Sequence, residues 1–403
     1  CPPLFANDSH LGTQKHVFNL AALQSPYYPV SMTHPRFTAL AQTLPASVPF
    51  VGPEAQERAR GAGFEARLGA NENGFGPAPS VLDAIKTSAH EAWMYGEPES
   101  FELRSALAIH HNFGLENIVV GEGIDGLLCS LVRLLVGKGD NVVTSDGAYP
   151  TFNYHVAGFG GTLHKVPYKD DHEDADALIA RAREVDAKLI YLANPDNPMG
   201  TWLEADVIED MAQKLPEGCV LVLDEAYIDL APKSAVPNLT IEHAGVIRMR
   251  SFSKGYGLAG MRVGYAMGAA KLINAFEKIR NHFGMNRLAQ IAALAALRDQ
   301  AGLKDIQTHV EASKQRLAEI AGANGLNSLP SATNFVAIDC GSDGDFARKV
   351  LASLIEQGIF VRMPFVTPQD RCIRVSCGPS NEMDLVARAL PIALKAATAK
   401  RSG

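Results

Sequence analysis

Between residues 96 and 282, short runs of consecutive apolar residues alternate with amphipathic stretches of helical length. Continuous apolar runs are typical of strands buried on both faces, and the stretches between them are typical of helices that cover a sheet. The alternation therefore predicts a mostly parallel β-sheet with helices on both faces. The predicted strands lie within residues 117–123, 141–146, 163–168, 188–195, 219–227 and 245–253.

A second pattern follows a long helical stretch at residues 269–324. Three more apolar runs, at 334–340, 358–364 and 372–378, are separated by helical stretches. This pattern predicts a smaller α+β domain. We therefore predict an α/β protein with an N-terminal extension or arm over residues 1–65, a large domain over residues 96–282, and a small domain formed by residues 66–95 and 283–403.

Composition narrows the class of protein. The chain has 403 residues, of which 47% are hydrophobic and 20% charged, and this length suits more than one packed domain. The net charge of −7 argues against nucleic acid and acidic membranes as partners. No apolar run reaches the roughly 20 residues of a membrane-spanning helix. The six cysteines form no CxxC pair and no metal-like cluster with histidine, which indicates reduced thiols and a cytoplasmic protein.

Polar side chains follow three of the predicted strands of the large domain. Ligands of parallel sheets bind beyond the carboxyl ends of the strands, so these side chains are candidates for a site. Taken singly, each has an ordinary explanation as a strand-ending turn, a helix cap or a solvated surface residue. The candidates are Asn197 after the fourth strand, Asp224 and Tyr227 after the fifth, and Ser251, Ser253, Lys254 and Arg262 after the sixth.

Together the candidates match the chemistry that pyridoxal 5'-phosphate (PLP) requires. This cofactor needs an amine for a Schiff base, an acid that keeps the pyridine nitrogen protonated, donors to the ring hydroxyl and a cationic cup for the phosphate. We assign the amine to Lys254 and the acid to Asp224. We expect Asn197 and Tyr227 to bind the ring oxygen. The phosphate would be held by Ser251, Ser253 and Arg262.

A glycine-rich turn completes the predicted phosphate cup. The first strand runs into Gly123, Ile124 and Asp125, and a helix follows at once. Glycine lets the backbone approach a ligand closely, and the N-terminus of a helix favours an anion. This turn precedes the other three strand ends along the chain, and this order supports one site that they form together.

Several motifs occur in an order that resembles a known family. They are ANEN, YGEPESFELR, GEGID, NPDNPMG, DEAY, SFSKGYGLAGMRVGY and IRVSCG. This set resembles the fold-type I PLP-dependent aminotransferases of class I/II, and it is most similar to their histidinol-phosphate aminotransferase-like branch. The resemblance extends over roughly residues 66–395. It implies a sheet of the seven-stranded type in the large domain and a homodimer whose subunits share their active sites.

The resemblance also implies further site residues. Tyr95 would reach the cofactor phosphate of the neighbouring subunit, and Phe152 would stack on the pyridine ring. Arg374 would bind the substrate α-carboxylate as a bidentate pair, and Asn197 would also contact the substrate. Arg362 matches a family arginine that meets a substrate phosphate.

Two positions depart from the family pattern. Phe50 takes the place of a tyrosine whose hydroxyl meets the substrate phosphate, and a phenyl ring cannot donate a hydrogen bond. In the glycine turn, Ile124-Asp125-Gly126 stands where relatives often have a small residue and then Asp-Glu, so one carboxylate is lost. The sequence RMPF around Arg362 also suits an apolar or aromatic substrate side chain.

The expected activity is transamination. The resemblance implies ping-pong transfer of an amino group between an amino acid, or a histidinol-phosphate-like amine, and a 2-oxo acid, with Lys254 as the base at Cα. A PLP-dependent amino-acid decarboxylase similar to threonine-phosphate decarboxylases is the alternative, because it would use the same lysine. A PLP-binding regulator fused to a DNA-binding domain is disfavoured, because residues 1–65 are short and Pro-rich and the chain is acidic.

Overall fold

The computed structural model describes residues 35–46 and 51–399. The chain divides into two compact units, residues 1–42 and 43–403, and the second unit holds the sheets and the candidate site. Much of the predicted N-terminal extension, including Phe50, lies outside the described residues. The helices are α1 (Ala39–Thr43), α2 (Pro53–Arg60), α3 (Pro79–Ser88), α4 (Phe101–His111), α5 (Gly123–Leu135), α6 (Pro150–Gly158), α7 (Ala175–Glu184), α8 (Ala205–Gln213), α9 (Ala270–Ala275), α10 (Arg287–Arg298), α11 (Gln300–Ala323), α12 (Gly344–Glu356) and α13 (Ser380–Ala399).

The strands fall into a central sheet and two smaller sheets. They are β1 (Ala66–Arg67), β2 (Ile118–Gly121), β3 (Asn141–Ser145), β4 (Thr162–Val166), β5 (Leu189–Ala193), β6 (Val220–Asp224), β7 (Val246–Ser251), β8 (Gly264–Gly268), β9 (Asn327–Ser328), β10 (Phe335–Asp339), β11 (Ile359–Phe360) and β12 (Cys372–Ser376).

The central sheet has seven strands in the order β2-β8-β7-β6-β5-β3-β4. Neighbours within the run from β7 to β4 are parallel, whereas β8 is antiparallel to both β2 and β7. The prediction of a mostly parallel sheet is therefore confirmed. Strand β8 is the part of this sheet that the apolar pattern does not predict, because its sequence, GYAMG, has glycine at both ends.

Helices cover both faces of the central sheet. Along β5, Leu189, Tyr191 and Ala193 pack into the apolar cluster that includes residues of α5 and α6, whereas Ile190 and Leu192 pack with α7 and α8. Successive side chains of a strand point to opposite faces, so β5 is buried on both sides. This burial explains why the strand reads as a continuous apolar run in the sequence.

The smaller sheets share one apolar cluster with the C-terminal helices. Strands β12, β10 and β9 form an antiparallel sheet, and β1 pairs with β11. Helices α3 and α10, which the sequence pattern assigns to the small domain, instead contribute Val81 and Ala289 to the cluster that contains residues of β2 and β8. These contacts place both helices with the central sheet, and the division into a large and a small domain stays a proposal.

The described part of the chain contains no helix with the length and apolarity needed to cross a bilayer. Its five cysteines, at positions 129, 219, 340, 372 and 377, are free thiols.

Candidate active site

A cavity of about 700 Å³ opens at the carboxyl ends of β5, β6 and β7. This is the edge of a parallel sheet where ligands bind. Most of the candidates from the sequence line the cavity together. They are Ile124, Asp125, Asn197, Asp224, Tyr227, Ser251, Ser253, Lys254, Arg262, Arg362 and Arg374.

Lys254 lies in the loop after β7 and points into this cavity. Its Nζ donates a hydrogen bond to the carbonyl oxygen of Asn71 at 2.9 Å and lies 5.4 Å from the centre of the Tyr227 ring. Burial, reinforced by the positive charge of Arg374, lowers the pKa of Lys254 to about 8. The side chain of Asn73 fixes the loop, because its Nδ2 donates to the carbonyl oxygen of Lys254 at 3.0 Å. A partly buried amine with a lowered pKa is suited to act as nucleophile and base.

Asp224 is the last residue of β6, and both of its oxygens are engaged. Oδ2 accepts a hydrogen bond from the hydroxyl of Tyr191 at 2.7 Å, and Oδ1 accepts one from the backbone N–H of Ala226 at 3.0 Å. Burial raises the pKa of Asp224 to about 6. A buried carboxylate of this kind favours a cationic partner, such as a protonated ring nitrogen.

The two candidates for the ring hydroxyl are held by side-chain hydrogen bonds. The hydroxyl of Tyr227 accepts a bond from Nδ2 of Asn71 at 3.0 Å, and burial raises the pKa of Tyr227. Oδ1 of Asn197 accepts a bond from Nη1 of Arg374 at 2.5 Å. Tyr227 and Asn197 therefore face the cavity from fixed positions.

The glycine turn and Arg262 are in close contact. Gly123 begins α5 with a φ of +76°, and a Cβ atom there would lie 2.6 Å from Nη2 of Arg262. Only glycine meets both conditions, because side chains disfavour this backbone region and the arginine fills the space. Nη1 of Arg262 donates to the hydroxyl of Ser253 at 3.4 Å, and the hydroxyl of Ser251 accepts the backbone N–H of Ser253 at 3.0 Å. A helix N-terminus, two hydroxyls and a guanidinium thus converge in a cup suited to an anion.

Arg374 lies in β12 and is only 9% exposed. Besides its bond to Asn197, Nη2 donates to the carbonyl oxygen of Gly69 at 3.3 Å, and the guanidinium lies 5.1 Å from the centre of the Phe335 ring. Its Nε is buried and has no hydrogen-bond partner among the described residues. Burial lowers the pKa of Arg374 to about 10. A buried donor without a partner indicates that a ligand supplies the acceptor.

Phe152 and Tyr95, two of the predicted site residues, lie elsewhere among the described residues. Phe152 is fully buried in the core, with its ring stacked on Tyr191 at 4.6 Å, and it is not among the residues that line the cavity. Tyr149, just before α6, does line the cavity. Tyr95 is 80% exposed and does not line the cavity of its own chain. Phe50 lies outside the described residues.

The structure adds residues to which the sequence motifs gave no role. Asn71 bonds to both Tyr227 and Lys254, and Tyr191 bonds to Asp224. The motif ANEN contains Asn71 and marks it as a candidate, although its partners are distant in sequence. Tyr191 lies inside an apolar strand, so no local signal distinguishes it from a core residue.

An ion pair ties the strand of Arg374 to the central sheet. Arg371, one residue before β12, bonds bidentately to Asp171 in the loop after β4, at 2.7 Å for Nη2–Oδ2 and 3.1 Å for Nη1–Oδ1. Its Nε lies 2.7 Å from Oδ2 of Asp339. Because Arg374 follows three residues later, this contact helps to fix the position of the guanidinium that meets Asn197.

Asp171→Ala is expected to weaken binding of carboxylate substrates with little change in kcat. The pair is partly exposed, so we expect KM for an amino acid to rise only about 3- to 10-fold. Steady-state kinetics with glutamate would measure the effect. Asp345→Ala removes a surface ion pair to Arg348 and serves as the matched control. An unchanged KM in Asp171→Ala would contradict the positioning role.

The site has the donor set that PLP needs. A partly buried amine and a buried carboxylate line the same cavity, a glycine leaves room beside an arginine, and a second arginine has a buried N–H without a partner among the described residues. Together with a mostly parallel seven-stranded sheet that contains one antiparallel strand, these features define the class of fold-type I PLP-dependent enzymes.

Comparisons with known proteins identify the family. The family model described as aminotransferase class I and II matches residues 66–390, and the chain belongs to this family. The chain is 31% identical over 328 residues to the histidinol-phosphate aminotransferase of Moorella thermoacetica, covering 80% of this chain and 84% of the relative. It is 33% identical over 346 residues to histidinol-phosphate aminotransferase 1 of Bacillus cereus, covering 85% and 92%.

A solved structure supports the same branch. The histidinol-phosphate aminotransferase from Sinorhizobium meliloti, in complex with pyridoxal-5'-phosphate, aligns with a TM-score of 0.88 and 53% sequence identity. The alignment covers 90% of this chain and 98% of that chain. The protein is therefore a PLP-dependent aminotransferase of the histidinol-phosphate aminotransferase branch, and it acts on small-molecule amino and oxo acids. The decarboxylase alternative is not favoured.

Proposed function

We propose that this aminotransferase exchanges an amino group between histidinol phosphate, or a closely similar phosphorylated amine, and a 2-oxo acid. The observation that carries the proposal is the presence of two arginines in one cavity. Arg362 and Arg374 pair through their backbones, with the N–H of Arg374 donating to the carbonyl of Arg362 at 2.6 Å, and both side chains line the cavity. One guanidinium suits a phosphate and the other a carboxylate.

When bound, PLP supplies an electron sink for the charge that develops at the substrate Cα. Lys254 would hold the cofactor covalently through Nζ, and the same nitrogen, once free, would move the proton at Cα. Its lowered pKa, about 8, increases the fraction of neutral amine near neutral pH, which is the form that accepts a proton. Asp224 would keep the ring nitrogen protonated, and Asn197 and Tyr227 would bind the ring oxygen.

The remaining lining residues would orient the cofactor. We propose that Tyr149, rather than Phe152, faces the pyridine ring, because Tyr149 lines the cavity and Phe152 is buried behind Tyr191. The phosphate would be held by Gly123, Ile124, Asp125, Ser251, Ser253 and Arg262.

An exposed aromatic group supports a homodimer with shared active sites. The centres of the Tyr95 and Phe283 rings lie 5.2 Å apart, and Trp93 is also exposed. Clustered apolar surface of this kind is typical of an interface. We propose that Tyr95 of each subunit reaches the cofactor phosphate of the other, as the family resemblance implies. A cytoplasmic location stays a prediction.

An aromatic amino acid is the second candidate substrate. Tyr154, Met363 and Phe365 line the same cavity and present apolar surface near Arg362. Apolar and aromatic walls suit an aromatic side chain. The two candidates differ in their need for Arg362, because an aromatic ring has no phosphate for this guanidinium to bind.

Arg362→Met is expected to separate these substrates. Removing a charged hydrogen-bond donor should lower kcat/KM for histidinol phosphate about 10- to 100-fold. The half-reactions with glutamate and phenylalanine should change much less. The measurement is the conversion of the PLP form to the amine form when the enzyme is mixed with one amine at a time.

Arg316→Met, an arginine on the outer surface of α11, provides the matched control. Equal loss with histidinol phosphate and with unphosphorylated histidinol would contradict a phosphate role for Arg362. A wild-type enzyme that reacts with phenylalanine but not with histidinol phosphate would establish the second candidate instead.

A further inference from the structure

Tyr191 forms a hydrogen bond that directly supports Asp224. The two residues lie on neighbouring strands, where Ala193 is paired with Asp224 and Tyr191 with Val222. Tyr191 is therefore the diagonal neighbour of Asp224 on the same face of the sheet, within reach of a long side chain. Its hydroxyl donates to Oδ2 at 2.7 Å, and the whole side chain is buried.

The ring of Tyr191 is itself fixed by Phe152. The two rings are stacked with their centres 4.6 Å apart and their planes within 16°, and both side chains are fully buried. Stacked rings in a close-packed core have little freedom to rotate. The hydroxyl is therefore held toward Asp224, whose second oxygen is bound by the backbone N–H of Ala226.

We propose that Tyr191, backed by Phe152, is a positioning residue that aims Asp224 at the cofactor's ring nitrogen and stabilises its ionised carboxylate. This inference rests on the proposed pairing of Asp224 with that nitrogen. It also gives Phe152 a role different from the ring contact that the resemblance implied, because Phe152 does not line the cavity and acts through Tyr191, which does.

The groups around Asp224 determine the direction in which its pKa would change if the Tyr191 hydroxyl were lost. Burial raises its pKa to about 6, whereas the Tyr191 hydrogen bond and the charge of Lys254 act to lower it. Without the hydroxyl, the pKa of Asp224 would rise further, so the carboxylate would compete more strongly with the ring nitrogen for the shared proton. Burial raises the pKa of Tyr191, so this residue remains a neutral donor. The other ionisable groups near the pair are Glu225, Glu173, Tyr149 and Tyr227.

The test is Tyr191→Phe, which deletes the hydroxyl and keeps the stacked ring. We expect the dissociation constant for PLP to rise about 10-fold, the usual effect of losing a hydrogen bond to a charged group. The pH midpoint of the cofactor's visible absorbance should move upward by about one unit. The reason is that a ring with less positive charge opposes protonation of the nitrogen linked to Lys254 less strongly. Unchanged values of both quantities would overturn the proposal.

Tyr168→Phe is the control, because Tyr168 is a partly buried tyrosine that donates to another carboxylate, Asp196, at 2.8 Å. It should leave the absorbance midpoint unchanged, and an equal shift in this variant would overturn the specific role of Tyr191. If Tyr191→Phe fails to fold, Phe152→Leu keeps the hydroxyl and loosens the ring. A smaller upward shift is then expected, and no shift in this variant would also refute the proposal.

A fourth variant separates this inference from the proposed function. Asp224→Asn removes the carboxylate itself and should shift the midpoint more than Tyr191→Phe does. If Asp224→Asn leaves the midpoint unchanged, the proposed pairing with the ring nitrogen fails. If Asp224→Asn shifts the midpoint and Tyr191→Phe does not, only the role of Tyr191 fails.

Discussion

Lys254→Ala should reduce transamination by more than about 1,000-fold, because we propose that its Nζ both attaches the cofactor and moves the proton at Cα. The variant should bind PLP without the visible absorbance of the lysine-linked form. Single-turnover mixing with an amino donor would measure the loss, since it reports conversion of the cofactor without product release. A small amine such as methylamine is expected to restore part of the rate, because truncation leaves space beside Asn71 and Tyr227.

The control for this prediction is Lys304→Ala, which truncates an exposed lysine on α11. It should retain wild-type rates and wild-type absorbance. Unimpaired transamination by Lys254→Ala would show that another group carries the cofactor. A loss of rate with an unchanged spectrum would assign the lysine to proton transfer alone.

The sequence predicts the central sheet well, because the short continuous apolar runs of β5 and β6 are typical of strands that are buried on both faces. The same pattern misses β8, which begins and ends with glycine. The cavity is also predictable in outline. Asp224, Asn197 and Lys254 follow apolar strands, and the carboxyl ends of parallel strands meet at one edge of a sheet.

Contacts between distant segments set the limit of the sequence prediction. Phe152 and Tyr149 are three residues apart at the start of α6, and both are aromatic residues that could stack on a ring. Phe152 points into the core because it packs on Tyr191, which belongs to another element of the fold. Asn71 shows the same limit, because its partners Tyr227 and Lys254 lie more than 150 residues away. The proposed role of Tyr95 depends on a second subunit, whose position cannot be derived from the sequence of one chain.

Arg374→Ala should raise KM for glutamate about 100-fold or more. The guanidinium is buried, and loss of one partner of a buried charged contact removes both the attraction and the preformed geometry. Arg374→Lys should recover little of this loss, since an ammonium cannot reproduce the planar bidentate fork that a carboxylate meets. Steady-state kinetics with glutamate would measure both variants, with the dissociation constant for PLP as a check on the site around Asn197.

The choice of amine gives this prediction its sharpest control. Histidinol phosphate has no α-carboxylate, and a phosphorylated CH2–O group takes its place. If Arg362 binds that phosphate, the half-reaction with histidinol phosphate should suffer less from Arg374→Ala than that with glutamate. Arg362→Met should show the reverse preference, because its guanidinium is assigned to the phosphate. Opposite losses of this kind, with each variant impairing a different amine, are expected only if the two guanidiniums bind different substrate groups. Equal losses for both amines in both variants would instead show that the pair acts as one undivided anion site, and the assignment of separate roles would be wrong.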